Sequence, residues 1–433
     1  MASPWKTLAA TKGLLKDHAS FETKICGGGE QMPKLSMGRR FFLRKSGITA
    51  FSWGLSLGLS PCLPARLVGA GKTAVDKNPN RHTNQPSRAE SRPLRAVRVG
   101  TPVPILDSHG DTWVATWADD DNLYSPSDDT RGFRKAADAN IAFNRLSGND
   151  PLNLSGVTVN PMVEYGKGAE EGPDVCSWKS SGCTCLDGVL YWVVARHRYG
   201  EKSGDPHRRQ TAQNASIIKS VDFGRTWRRP VQDNLQQPMF PGRRFATPYF
   251  VEYGRGRVEV DNAGQYVYAL SNNGFWDCGD DMVLGRVLRS KIASLNGADW
   301  EFYTGGDGMR GSAWSRNVNE AKPVVQQPGR LGMTGAVYLP ARKRYLMIGW
   351  YYPAGGGKMK DAKTHTVWDF YEAPRPWGPW TQIGSHDSSP QGYYSPEICP
   401  KFQTRNQVFV FTAGNWDDPK AYRLTVVPLE LEA

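Results

Sequence analysis

The sequence predicts an all-β fold, a five-bladed β-propeller built from four-stranded antiparallel blades. Three observations carry that prediction. Short runs of β-branched and aromatic residues alternate with Gly, Asp, Asn and Pro turns, no long amphipathic helical pattern interrupts them, and paired runs return at an irregular spacing of about 60 residues.

The first pair is Thr112 to Ala118, a turn at Asp119 to Asn122, then Leu123 to Ser125 ending in Asp128 and Asp129. The second enters through Cys183, turns at Leu186 to Gly188 and runs from Val189 to Ala195, ending in Arg196, His197 and Arg198. The third runs from Phe245 to Tyr253, turns near Asp261 and Asn262, and returns from Tyr266 to Leu270 before Asn272 and Asn273. The fourth joins Met333 to Leu339 with Tyr345 to Trp350 and ends in Tyr351 and Tyr352. The fifth joins Tyr394 to Phe402 with Val408 to Phe411 and ends in Asn415, Trp416 and Asp417. Outer strands follow, such as Ala215 to Lys219 and Thr366 to Tyr371, and Leu94 to Val99 is placed to close the ring as an outer strand of the last blade.

One local signature fits this scheme. Ser220, Asp222, Gly224, Thr226 and Trp227 match the Asp-box pattern, a turn in which Asp accepts bonds from turn amides while Trp packs under the sheet. Such a turn is structural and lies away from the site in propellers.

The N-terminal region has a different character. Arg39 and Arg40, followed by Phe41, Phe42, Leu43 and then Arg44 and Lys45, resemble a twin-arginine export signal. The run from Ile48 to Leu63 is too short and polar for a stable membrane span. Residues 1–70 are therefore assigned to a signal region, with Met37 an alternative start, 71–96 to a disordered linker and 97–433 to a single propeller domain. The expected location is periplasmic or extracellular, and the expected state is a monomer.

Charge follows the same division. Residues 1 to 97 hold 16 Lys and Arg against 5 Asp and Glu, which leaves 38 against 37 of the chain's 54 and 42 for the remainder. A nearly neutral body lacks the basic surface that a nucleic acid requires, so no nucleic-acid partner is expected. Its 15 Trp, 17 Tyr and 16 Phe instead suit a packed core and stacking on sugar rings.

After the signal region the cysteines are Cys176, Cys183, Cys185, Cys278 and Cys399. An export compartment allows a disulfide from Cys176 to Cys183 or Cys185, while zinc spacing is absent. No cofactor is expected, and a structural or substrate-site divalent cation stays open. Gly355, Gly356, Gly357 and Lys358 imitate a phosphate loop, but no helix follows them.

In a propeller, loops entering the first strand and leaving the second strand of each blade share one face. That face gathers Asp111, Asp128, Asp129, His197 and Glu397 as candidate catalytic groups. Around them stand Arg196, Arg198, Arg243, Arg244, Asn273, Trp276, Tyr351, Tyr352 and Trp416 as candidate substrate contacts. Paired carboxyl groups suit glycosidic hydrolysis, where one protonates the leaving oxygen and the other acts as base or nucleophile. Asp111 with Asp128 or Asp129 is the leading pair, and Glu397 the next acid. His197 between two arginines, with Tyr199 close by, offers a second chemistry: arginine neutralises a uronate while His or Tyr removes a proton, as in a polysaccharide lyase.

The residues Asp111 to Trp113, Thr116 to Tyr124, the Asp box, Tyr266 to Trp276 and Glu372 to Trp380 together resemble a bacterial propeller family of initially unknown function, related to D-arabinan-degrading glycosidases. The resemblance covers most of residues 100 to 430. More distantly, the chain is similar to the five-bladed arabinanases and fructan hydrolases, whose Asp at the start of the first blade is the base or nucleophile. That likeness implies the role for Asp111 and a carbohydrate substrate. The later acid of those families has no motif match at Glu397, Glu320 or Asp277. Sialidases share the Asp box, but one copy is present here and their arginine triad cannot be assigned. The expected activity is glycoside hydrolysis, with the lyase and a non-catalytic glycan-binding propeller as alternatives.

Overall fold

The computed structural model describes residues 92–133, 137–231, 235–255, 260–353 and 364–433. The proposed export signal, nearly all of the linker and the Gly355 to Lys358 loop lie outside the described residues. The remainder is all-β: strands paired antiparallel except at one parallel junction, with only short 3-10 turns between them.

Hydrogen bonding arranges the strands in four sheets. The first holds Ser108–Asp111, Leu123–Phe133, Ala139–Ser147 and Ser155–Asn160 in order, with Thr116–Trp117 beside its second strand. The next has three strands, Ser177–Leu186, Val189–Arg198 and Thr211–Ser220. The largest contains two successive strand groups, one starting at Tyr249–Glu252 and the other at Ala336–Leu339, joined because these two strands pair in parallel through Val251 and Glu252. The last holds Tyr394–Ile398, Gln407–Ala413, Thr425–Glu432 and, at its outer edge, Ala96–Val99. The N-terminal strand thus pairs antiparallel with the C-terminal one, Ala96 opposite Glu432 and Val99 opposite Leu429. That strand begins inside the stretch assigned to linker, and Leu94 ahead of it is already buried.

The strand groups touch in a circular order. The first meets the second where Leu123–Phe133 lies against Ser177–Leu186, and the second meets the third where Ser177–Leu186 lies against Tyr249–Glu252. The third and fourth share the parallel pair, the fourth reaches the fifth through Arg344–Tyr351 and Tyr394–Ile398, and Gln407–Ala413 returns to Ser108–Asp111. Gly182 shows how close these approaches are: its amide donates to the Pro248 carbonyl at 2.9 Å, and a Cβ there would come within 2.6 Å of the Tyr249 backbone.

Aromatic side chains fill the wedges between groups. Phe143 and Trp192 pack at 5.4 Å between the first and second, and Trp227 stands edge-on to both at 4.7 and 5.3 Å. Phe245 meets Trp300 and Phe302 in the next wedge. Removing each such ring from water contributes roughly 2–3 kcal/mol. Trp227 is held by the Ser220–Trp227 turn, in which Asp222 accepts from the Thr226 amide at 2.9 Å and its hydroxyl at 2.6 Å, and Trp227 Nε1 donates to the Gly224 carbonyl at 3.1 Å.

Two strand assignments change. Thr112 to Ala118 is not one strand, because Thr112 takes a left-handed φ of 55° and the pairing shifts between His109 and Asp111. The polar run after Ser125, read as a strand end, is the middle of an 11-residue strand, Leu123–Phe133, bonded on both sides. The described cysteines are all thiols, so the Cys176 bridge does not form.

Candidate active site

The cavity that collects the candidate residues has a volume of about 160 Å³. Strand ends and the loops beside them build it. Asp111 ends its strand and Asp129 lies in the neighbouring one, where a φ of 40° turns the backbone locally out of the extended form. Lys179 comes from Ser177–Leu186, His197 from the adjacent strand, and Tyr199 and Gln210 from the connection that follows. Trp276 is fixed by its backbone, donating to the Gln210 carbonyl at 2.9 Å and accepting from the Met333 amide at 3.1 Å. Tyr352 directly follows the strand Arg344–Tyr351, while Tyr394, Trp416 and Tyr422 come from the last sheet and its loops.

Asp111 is the best-wired group in the cavity. Its Oδ2 accepts from the Tyr394 hydroxyl at 2.6 Å and from the Tyr422 hydroxyl at 3.2 Å, and Oδ1 accepts from the Thr112 hydroxyl at 3.1 Å. Burial and the charge of Asp129 push its carboxyl up to about 6, against the opposing pull of Lys179 and of the Tyr394 and Thr112 hydroxyls. Asp129 forms an ion pair with Lys179 and accepts from the Tyr199 hydroxyl at 3.2 Å. Burial works against the charge on Lys179, but Asp129, then Tyr199, Asp128 and Asp111, outweigh it and hold the ammonium protonated.

His197 is neutral. Its Nε2 donates to the Gln210 side-chain oxygen at 2.7 Å, and Nδ1 is buried without a hydrogen-bond partner. Burial first, and the Lys179 charge second, push the imidazole down to about 3. Gln210 is itself anchored through its amide, which donates to buried Asp277 at 3.0 Å. Burial pushes Asp277 up to about 7.

Of the residues expected at the site, Asp111, Asp129, His197, Trp276, Tyr352 and Trp416 meet in this cavity. The others do not line it. Asp128 pairs across the sheet with Asp111, but its carboxylate turns inward and accepts from the Ser180 amide at 3.0 and 3.2 Å. Glu397 lies deeper along its strand, beside a separate void of about 20 Å³ next to Tyr249 and Gly335. Arg196 and Arg198 flank His197, and strand alternation sends their side chains to the opposite face. There Arg196 pairs with Asp174 at 2.6 Å and Arg198 donates to the Asp174 carbonyl at 3.0 Å. Alternation likewise separates Tyr351, which packs under the Arg330 guanidinium, from Tyr352. Arg243 binds the Gly274 carbonyl and stacks on Phe275, Arg244 pairs with Asp281, and Asn273 is tied to Asp280.

Sequence reasoning missed Lys179, Gln210, Tyr394 and Tyr422 as site residues. Tyr394 opens the first strand of the fifth sequence pair, on the face where candidate residues were sought, so the signal was available. Lys179 is the sole charge in the strand Ser177–Leu186, otherwise built of small, polar and apolar residues, which is also a legible anomaly. Tyr422 and Gln210 sit in loops without any pattern. Among the described residues no group of three or more His, Cys, Asp or Glu side chains is placed to hold a metal ion, and no helix is long and apolar enough to cross a membrane.

No family model matches the chain, and no curated protein does. Solved structures with some likeness include a putative hydrolase from Bacteroides ovatus, at 12% identity over 74% of this chain and 85% of that one, with a TM-score of 0.44. The GH43_1 enzyme from Xanthomonas citri, complexed with xylose, is 10% identical over 77% of this chain and 89% of its own, at a TM-score of 0.42. Trypanosoma rangeli sialidase with the inhibitor DANA is 9% identical over 77% and 60%, at 0.37. Likeness at this level assigns the chain to no family, and the chemistry of its site rests on its own residues.

Proposed function

We propose that the strand groups are the five blades of a propeller exported by the twin-arginine route, and that the cavity hydrolyses a glycosidic bond. The observation that carries this reading is the contrast between two neighbouring carboxyl groups. Asp111 is enclosed and has its proton affinity raised to about 6, whereas Asp129 is ion-paired to Lys179. A carboxyl raised towards neutrality beside one that is paired with a cation supplies the two roles that glycosidic hydrolysis needs. In this assignment Asp111 protonates the leaving oxygen, and Asp129 serves as base or nucleophile on the sugar. The rings of Trp276, Tyr352 and Trp416 supply apolar faces for stacking.

A second reading reverses the two roles, as the likeness to arabinanases implied. In its favour are the hydroxyls of Tyr394, Tyr422 and Thr112, all aimed at Asp111, since donors favour a carboxylate. The dependence of kcat on pH separates the two: acid action by Asp111 gives a fall above about pH 6, and base action gives a rise there.

Elimination is the weaker chemistry. A histidine pushed down to about 3 holds a proton too loosely to remove one from a sugar carbon, and the arginines beside it face away. Product analysis on plant, algal and bacterial polysaccharides tests the assignment. New reducing ends without an unsaturated uronate chromophore support hydrolysis, the chromophore supports elimination, and retention without products supports binding alone.

A further inference from the structure

We infer that the cavity receives a single, uncharged, terminal sugar ring, so that cleavage proceeds one residue at a time from a chain end. This rests on the hydrolase reading for the cleavage but not for the binding. The first support is the shape of the wall. A cleft that lets a polymer pass through needs two open sides, yet each strand group sends a side chain into this one: Asp111, Lys179, Trp276, Tyr352 and Tyr422 come from the first to the fifth in order. Side chains from every strand group thus converge on one chamber, the form that holds a chain end rather than the middle of a polymer.

The second support is size. At about 160 Å³ the cavity matches the engineered space of roughly 150 Å³ that holds one benzene ring, and falls below the roughly 300–1,000 Å³ of sites that take larger ligands. One five- or six-membered sugar ring fits, whereas a linked pair must leave its second ring outside.

The third support is charge. Lys179 is the one lysine or arginine lining the cavity among the described residues, and its ammonium already pairs with Asp129. Asp111 places a second carboxyl group in the same cavity. A sugar carboxylate entering here would meet the Asp129 carboxylate and find no unengaged cation, so a uronic acid is rejected where the matching neutral sugar is accepted.

The test combines calorimetric titration of the full chain with chromatography of early products. The titrants are free neutral pentoses and hexoses, their short oligomers, and the corresponding uronic acids. The expected result is saturable binding of at least one neutral monosaccharide, affinity within about threefold for its oligomers, and binding at least about tenfold weaker for its uronic acid. From neutral polysaccharides, free monosaccharide is the first product. A ladder of oligosaccharides at early times, affinity that climbs steadily with chain length, equal binding of the uronic acid, or no monosaccharide binding would each overturn the inference. Monosaccharide binding without any cleavage would leave it standing and remove the hydrolase reading instead. An early ladder would do the reverse.

Discussion

The Tyr394 hydroxyl donates to Asp111 Oδ2 across 2.6 Å, joining residues 283 positions apart in the chain. Through this bond the last sheet helps to set the protonation of a carboxyl delivered by the first. Tyr422 adds a second phenol from the same sheet, reaching both Asp111 and the Asp129 carbonyl at 3.2 Å.

Replacing Asp111 by Asn should abolish turnover and leave the fold intact. The linkage has a definite sign. A carboxyl raised in the folded state from 3.8 to about 6 favours folding fully below the unfolded value and loses that contribution as pH rises between the two. Asp111→Asn should therefore melt at or above the parent temperature at pH 7.5, by an amount that shrinks or reverses at pH 4. Scanning calorimetry at both values checks this; a variant that melts far lower at pH 7.5 would mean the hydroxyl bonds outweigh the buried charge.

Lys179→Met leaves Asp129 and its carboxyl neighbours without their cation. Breaking a buried pair costs about 3–5 kcal/mol, so denaturant unfolding at pH 7 should show a loss of that order. The loss should narrow at pH 4, where the carboxyl groups take up protons. Adding Asp129→Asn should restore part of it, and a double variant no better than the single one would refute the coupling.

His197→Ala should reduce activity by far less than Asp111→Asn and should not alter the type of product. Kinetics of both variants on one substrate make the comparison. Full inactivation with His197→Ala, together with loss of an unsaturated product, would return the case to elimination.

Asp222→Ala removes the acceptor that organises the turn beneath Trp227. A stability loss of about 1–2 kcal/mol with unchanged kcat is expected, because the turn touches the wedge packing and not the cavity. A change in kcat at unchanged stability would contradict this division.

What the sequence made legible was the part governed by local periodicity. Val189 to Ala195, Tyr345 to Trp350 and Val408 to Phe411 are apolar runs bounded by turns, and each lies within an observed strand. The strand Leu123–Phe133 was less legible because Pro126, Asp128, Asp129 and Gly132 have no preference for it, and bonding from two neighbouring strands overrides local propensity. At the site, the same alternation that places His197 and Tyr352 in the cavity removes Arg196, Arg198 and Tyr351. A cluster of adjacent candidates therefore splits between two faces, and only pairing register says which member goes where.

The pairing of Ala96–Val99 with the C-terminal strand has a mechanical consequence. Because Ala96 lies opposite Glu432 and the strands run antiparallel, both ends of the described chain emerge at the same end of the ladder. A stretching force applied between them would load these bonds in succession, as a zipper opens, and peel the edge strand away at low tension before the inner sheets were strained.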